Sequence, residues 1–103
     1  MNETVKLLSA LAEPTRLAAM LLLSDGGEHC VCELMDRLGV TQSRMSRHMK
    51  ILRDAGLVAD RRDAQWVRYR LRDPLPPEVA ALLDAALAIA GADRLAVPER
   101  SAA

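Results

Sequence analysis

No apolar run in this chain of 103 residues reaches the roughly 18 that a membrane span requires. The first 25 residues lack the basic stretch, apolar core and small-residue cleavage site of a secretory leader. The expected location is therefore the cytoplasm, with no membrane partner. There is no Gly-rich phosphate loop, no nucleophile motif and no ligand cluster with a position open for substrate, which argues against an enzyme. Nor is there an internal repeat or a linker that would divide the chain. Cysteine is scarce too: Cys30 and Cys32 are the only two, so all thiol chemistry is confined to one place. In a reducing compartment such a pair suits ligation or redox sensing better than a structural staple.

The length allows one small domain, which buries a modest fraction of its surface and is often completed by a second copy. Residues 1–91 are expected to form it, with residues 92–103 as a flexible tail. Net charge is zero but unevenly placed. Between Arg37 and Arg72 stand ten basic and three acidic residues, and the remainder holds four basic and eleven acidic. A block of +7 in an otherwise −7 chain is the footprint of a phosphate-backbone binder, although a solvated charged face accounts for the charge alone equally well.

Apolar periodicity predicts a chain that is mainly α with a β-hairpin. Val5, Leu7, Leu8 and Leu11 mark a first helix, and Pro14 fits the first turn of a second that runs through Leu21. Val31, Leu34, Met35 and Leu38 follow helical spacing, with Gly39 placed to close that helix in the left-handed conformation. Thr41 can cap a fourth helix that lasts to about Ala55. Two helices joined by so short a turn match the helix-turn-helix pattern. Leu57–Arg62 and Gln65–Leu71 alternate apolar and charged residues about an Asp63-Ala64 link, which predicts a hairpin wing. A fifth helix, 78–90, is apolar nearly all round and needs more than one surface to bury it.

On the fourth helix Met45, Met49 and Leu52 share one face and Ser43, Ser46, Arg47 and Lys50 the opposite one. The polar face can contact phosphates and base edges in a major groove, with Gln42 and Arg44 near the helix start and Arg61, Arg62 and Arg68 from the wing. The apolar surplus of Val5, Leu8, Leu11, Val79, Leu82, Leu83 and Leu87 is assigned to a homodimer seam between first and last helices. The ordinary alternative, an amphipathic surface helix, leaves the charge block and the hairpin unexplained.

The runs Glu28-His29-Cys30-Val31-Cys32-Glu33-Leu34, Gln42-Ser43-Arg44-Met45-Ser46-Arg47-His48, Leu52-Arg53-Asp54-Ala55-Gly56-Leu57-Val58 and Trp66-Val67-Arg68-Tyr69-Arg70-Leu71 together resemble the ArsR/SmtB family of winged-helix repressors, closest to its arsenite-responsive members. The match covers about residues 5 to 90. It implies a winged helix-turn-helix homodimer that binds double-stranded operator DNA and releases it when arsenite or antimonite, as trivalent inducer, binds Cys30 and Cys32. A zinc sensor of this family would place His and acidic ligands on the last helix, where this chain has Glu78 and Asp84 but no His.

The resemblance has one gap. Related arsenite sensors carry a third cysteine three residues after the second, and here that position is Met35. Met35 sits at core-facing spacing and reads as packing, which leaves the third ligand to hydroxide, an exogenous thiol or an organic substituent on arsenic. His29 reads as a solvated loop residue. Placed on one helix, Cys30 and Cys32 diverge by about 200°, so chelation is expected to unwind the first turn and tilt the reading helix. Thiol redox sensing and the sensing of another soft metal remain the alternative functions.

Overall fold

Each of the first four helices begins where a side chain accepts a hydrogen bond from a first-turn amide that has no partner within its own helix. In the computed structural model, which describes residues 2–96, Asn2 caps α1 (Glu3–Leu11) through a 2.9 Å bond from the Val5 N–H. Glu13 caps α2 (Pro14–Leu23), accepting from the Arg16 N–H at 2.8 Å, and Pro14 occupies the first turn, where its missing N–H leaves nothing unpaired. A two-residue strand, β1 (His29–Cys30), precedes α3 (Val31–Leu38). Gly39, at φ +69°, ends α3 in the left-handed conformation and donates its N–H to the Met35 carbonyl at 2.8 Å. Thr41 then caps α4 (Gln42–Asp54).

The hairpin β2 (Val58–Asp63) and β3 (Trp66–Leu71) follows, and β1 pairs antiparallel with the free side of β3, giving the sheet order β1-β3-β2. The last helix, α5 (Pro77–Ala96), packs on α2. This is the winged helix-turn-helix expected from the sequence, with one added strand. A two-residue strand is too short to show alternation, so β1 left no signal. The hairpin turn is Ala64-Gln65, one residue later than the Asp63-Ala64 link read from the sequence. Helix α5 continues through Gly91 to Ala96; of the expected tail, residues 97–103 lie outside the described residues.

With no phenylalanine in the chain, the core is built from branched aliphatics and methionine. Met20, Met45 and Met49 are fully buried with Leu23, Leu34, Leu52, Leu57 and Val58, and Tyr69 is the aromatic that joins them. Unbranched methionine adapts its shape to gaps that rigid rings would otherwise fill. Arg16 ties three helices at this core: its guanidinium donates to the Ala10 carbonyl at 2.7 Å and the Ser9 carbonyl at 3.3 Å, closing the end of α1, and stands 3.0 Å from His48 Nδ1 on α4.

Ala64 holds φ +55° in the hairpin turn, a region that disfavours residues with a Cβ. The left-handed conformation costs such a residue roughly 1–2 kcal/mol, and glycine gives back about 0.5–1 kcal/mol of unfolded-state entropy. Ala64→Gly is therefore expected to stabilise the domain by about 0.5 kcal/mol and raise the melting temperature by roughly 2–4 °C. A lower melting temperature in thermal denaturation would contradict this reading of the turn.

Candidate functional site

The two faces of α4 separate as the spacing requires. Met45, Met49 and Leu52 are fully buried, while Gln42, Ser43, Arg44, Arg47 and Lys50 are exposed and Ser46 is partly so. His48 is turned inward, its side chain 13% exposed and engaged by Arg16 and Glu13. On the wing Arg61 and Arg62 are exposed and Arg68 partly exposed. The helix and the hairpin thus present all nine proposed contacts at accessible positions.

Their charge is less available than a count suggests. Lys50 pairs with Asp54 at 2.9 Å, Arg53 with Asp60 at 2.9 Å and Arg68 with Asp63 at 2.8 Å. Arg61 makes a bidentate pair with Glu28, with contacts of 2.9 and 2.7 Å. Among the described residues, Arg44, Arg47, Arg62, Arg70 and Arg72 have no carboxylate partner. Arg44 and Arg47 are thus the uncompensated cations of α4 among the described residues. The Arg61 hydrogen bond holds the Glu28 carboxyl below the usual carboxylate range, helped by the fields of Arg61, Arg68 and Arg70.

Cys30 corrects the sequence reading most. It is not a helical residue: with φ −66° and ψ 145° it ends β1, caps α3 and accepts the Cys32 N–H on its sulfur at 3.2 Å. The helical-wheel divergence therefore does not apply. The two Cα atoms are 5.1 Å apart and the sulfurs are in direct contact as a disulfide, with α3 intact. Unwinding of the first turn is not needed to bring the thiols together. Cys30 is 8% exposed and Cys32 lies on the surface.

Beside this pair, Met35 and His29 are each engaged by other groups. Met35 is partly buried and packs against the core, as its spacing predicted. Among the described residues no group of three or more His, Cys, Asp or Glu side chains is placed to hold a metal ion. His29 is not a solvated loop residue. Its side chain is 12% exposed, with Nε2 2.9 Å from Asp25 and Nδ1 2.9 Å from Glu33. The Asp25 hydrogen bond, supported by Glu33, raises its pKa above the ordinary histidine value against the opposing effect of burial. Since the folded value lies above the unfolded one, this clamp contributes fully below the ordinary histidine pKa and is lost as pH rises through the folded value.

The seam residues divide. Leu11 and Leu83, at 7% and 3% exposure, are buried in the protomer's own core, where α1 packs on α2 and α4 and α5 packs on α2. Val5 and Leu8 are each 46% exposed, and Val79, Leu82 and Leu87 are partly buried. Ile89, at 65%, is the most exposed large apolar residue among those described. In a helix apolar all round, sequence carries no phase that would single it out.

Comparison with known proteins places the same segments together. A profile described as bacterial regulatory protein, arsR family, matches residues 13–60. An arsenical resistance operon repressor of Escherichia coli (strain K12) is 44% identical over 82 residues, 80% of this chain and 70% of that protein. The solution structure of a homodimeric winged helix-turn-helix DNA-binding domain from Mycobacterium bovis, a possible ArsR-family regulator, superposes with a TM-score of 0.70 at 27% identity, covering 86% of this chain and 79% of that one. The crystal structure of the AntR antimony-specific transcriptional repressor gives 0.69 at 26% identity, covering 90% and 81%.

Two outcomes follow from these positions. Arg47→Ala should weaken binding to duplex DNA by about tenfold with unchanged helix content, whereas Lys50→Ala, which removes a cation already paired, should have the smaller effect. Unchanged affinity for Arg47→Ala in fluorescence anisotropy would remove α4 as the reading element. For the seam, Leu8→Glu combined with Ile89→Glu should yield a folded monomer, while Leu83→Ala should lower stability by about 2–4 kcal/mol without a change of assembly. Sedimentation of the wild type as a monomer at micromolar concentration would contradict the seam.

Proposed function

The chain belongs to the arsR family of bacterial regulatory proteins, and from that premise we propose that trivalent arsenic or antimony, held by Cys30 and Cys32, releases it from operator DNA. The coarser part of this statement is plain: it is a DNA-binding transcriptional repressor of winged helix-turn-helix form, not an enzyme, and its partners are duplex DNA and a second copy. The names of its relatives point to the inducer class, one being an arsenical resistance repressor and another an antimony-specific one.

The observation that carries the proposal is the contact between the two sulfurs at the β1–α3 junction. Trivalent arsenic and antimony favour soft thiolate ligands, and this chain brings two to one point. A third position falls to hydroxide or a small thiol, since Met35 is engaged in packing. The junction touches both DNA-facing elements. Downstream, α3 leads through Gly39 into the reading helix; upstream, His29 and Cys30 pair with Tyr69 and Arg68 of the wing. An inducer acts only through its different affinity for the DNA-bound and free states, and this placement lets the dithiol sense both.

The same sulfur contact favours a second reading, a thiol switch that opens and closes between Cys30 and Cys32. The two are separated by one titration. With the reduced protein kept anaerobic on a fluorescent operator duplex, arsenite should release the wild type but neither Cys30→Ser nor Cys32→Ser, both of which keep DNA affinity within about twofold because neither residue lies on the reading face. No release at saturating arsenite, with release on oxidation and recovery with a monothiol, would replace the metalloid reading by the redox one.

A further inference from the structure

We infer that Glu28 is a positioning residue for DNA binding: it competes with the DNA backbone for Arg61, and so sets how many phosphates the wing engages. The geometry of the pair is the first ground. Arg61 turns two guanidinium N–H groups onto the two carboxylate oxygens of Glu28, through Nε at 2.9 Å and Nη2 at 2.7 Å. That planar fork is also the one with which arginine grips a phosphate, so the two contacts are mutually exclusive.

The second ground is the setting. Glu28 lies in the field of Arg61, Arg68 and Arg70, with Asp63 as the second carboxylate beside them. Arg61 and Arg68 stand directly opposite one another in the β2–β3 ladder. Two like charges so placed repel, and a shared anion relieves them; without DNA that anion is Glu28, together with Asp63 on Arg68. Both members of the pair remain accessible, with side chains 54% and 32% exposed. Exposed ion pairs are weak, so a phosphate can displace the carboxylate.

The third ground is where Glu28 is attached. The other carboxylate pairs of the arginines and lysine in the basic block join neighbours within α3, within α4, within the hairpin, or between α4 and β2. The Glu28–Arg61 pair spans 33 residues and links the wing to the segment that ends in Cys30. That segment is fixed beside it by the His29 contacts to Asp25 and Glu33 and by the pairing of β1 with β3. Glu28 therefore cannot follow Arg61 onto the DNA, and the arginine must leave it.

The test is the salt dependence of operator binding by the full chain, measured by fluorescence anisotropy between about 50 and 200 mM salt. It involves no metalloid, so it decides the role of Glu28 whether or not arsenite releases the protein. Glu28→Gln keeps size and hydrogen-bonding capacity but frees the guanidinium. It should tighten binding and steepen the slope of log affinity against log salt by up to about 0.9 per protomer, the value of one fully added phosphate contact. The gain over wild type should then shrink by up to about 3.5-fold across that salt range. Arg61→Ala should lower affinity, and adding Glu28→Gln to it should change nothing further. An unchanged slope in Glu28→Gln, or an equal tightening in the Arg61→Ala background, would show simple repulsion between Glu28 and DNA and overturn the competition; matching thermal unfolding of all variants keeps the comparison to folded protein.

Discussion

The antiparallel pairing of His29 and Cys30 with Tyr69 and Arg68 is the constraint on which the rest of the site depends. It holds Cys30 in extended backbone, and an extended residue immediately before a helix is in position to cap it. The Cys30 sulfur consequently accepts the Cys32 N–H, and the same turn of chain brings the two sulfurs together. Were Cys30 one residue inside α3, its side chain would leave on the far side of the helix from Cys32. The dithiol is thus a product of the strand as much as of the helix.

This placement changes the route by which an inducer reaches DNA. A site wholly within α3 would act on the reading helix through the Gly39 turn. A site at the β1–α3 junction bears on the wing as well, through the strand and through Glu28. The charge pattern of the wing fits that view. Arg61 and Arg68 are held by carboxylates from the dithiol segment and from the hairpin itself, so their charge is conditional, while Arg62 and Arg70 of the wing and Arg44 and Arg47 of α4 are free of such pairing among the described residues.

Much of this was legible in the sequence, because the physics concerned was local. Helical spacing, Pro14 at a first turn, Thr41 as a cap and Gly39 as a left-handed closure each act over three or four residues, and they gave five helices with the correct polar face on α4. Two of the differences depend on a partner far along the chain. Strand β1 exists only because β3 lies beside it, and without that strand the spacing places Cys30 on a helix. His29 looked solvated because its two carboxylate neighbours meet it only in the folded turn. The positive block looked available because Glu28, 33 residues from Arg61, is not part of it. In α5 the apolar residues run all round, so nothing in their spacing separates Leu83, which is buried, from Ile89, which is not.

The central claim is that one inducer atom is held by the two sulfurs at the β1–α3 junction. Arsenic K-edge X-ray absorption of the reduced protein, loaded with one equivalent of arsenite per chain, reads that directly as the atoms bonded to arsenic. Two sulfur neighbours and one lighter atom, falling to at most one sulfur when Cys32 is replaced by Ser, are the result this account predicts. A spectrum with only oxygen neighbours, or one with three sulfurs in the absence of added thiol, would contradict it.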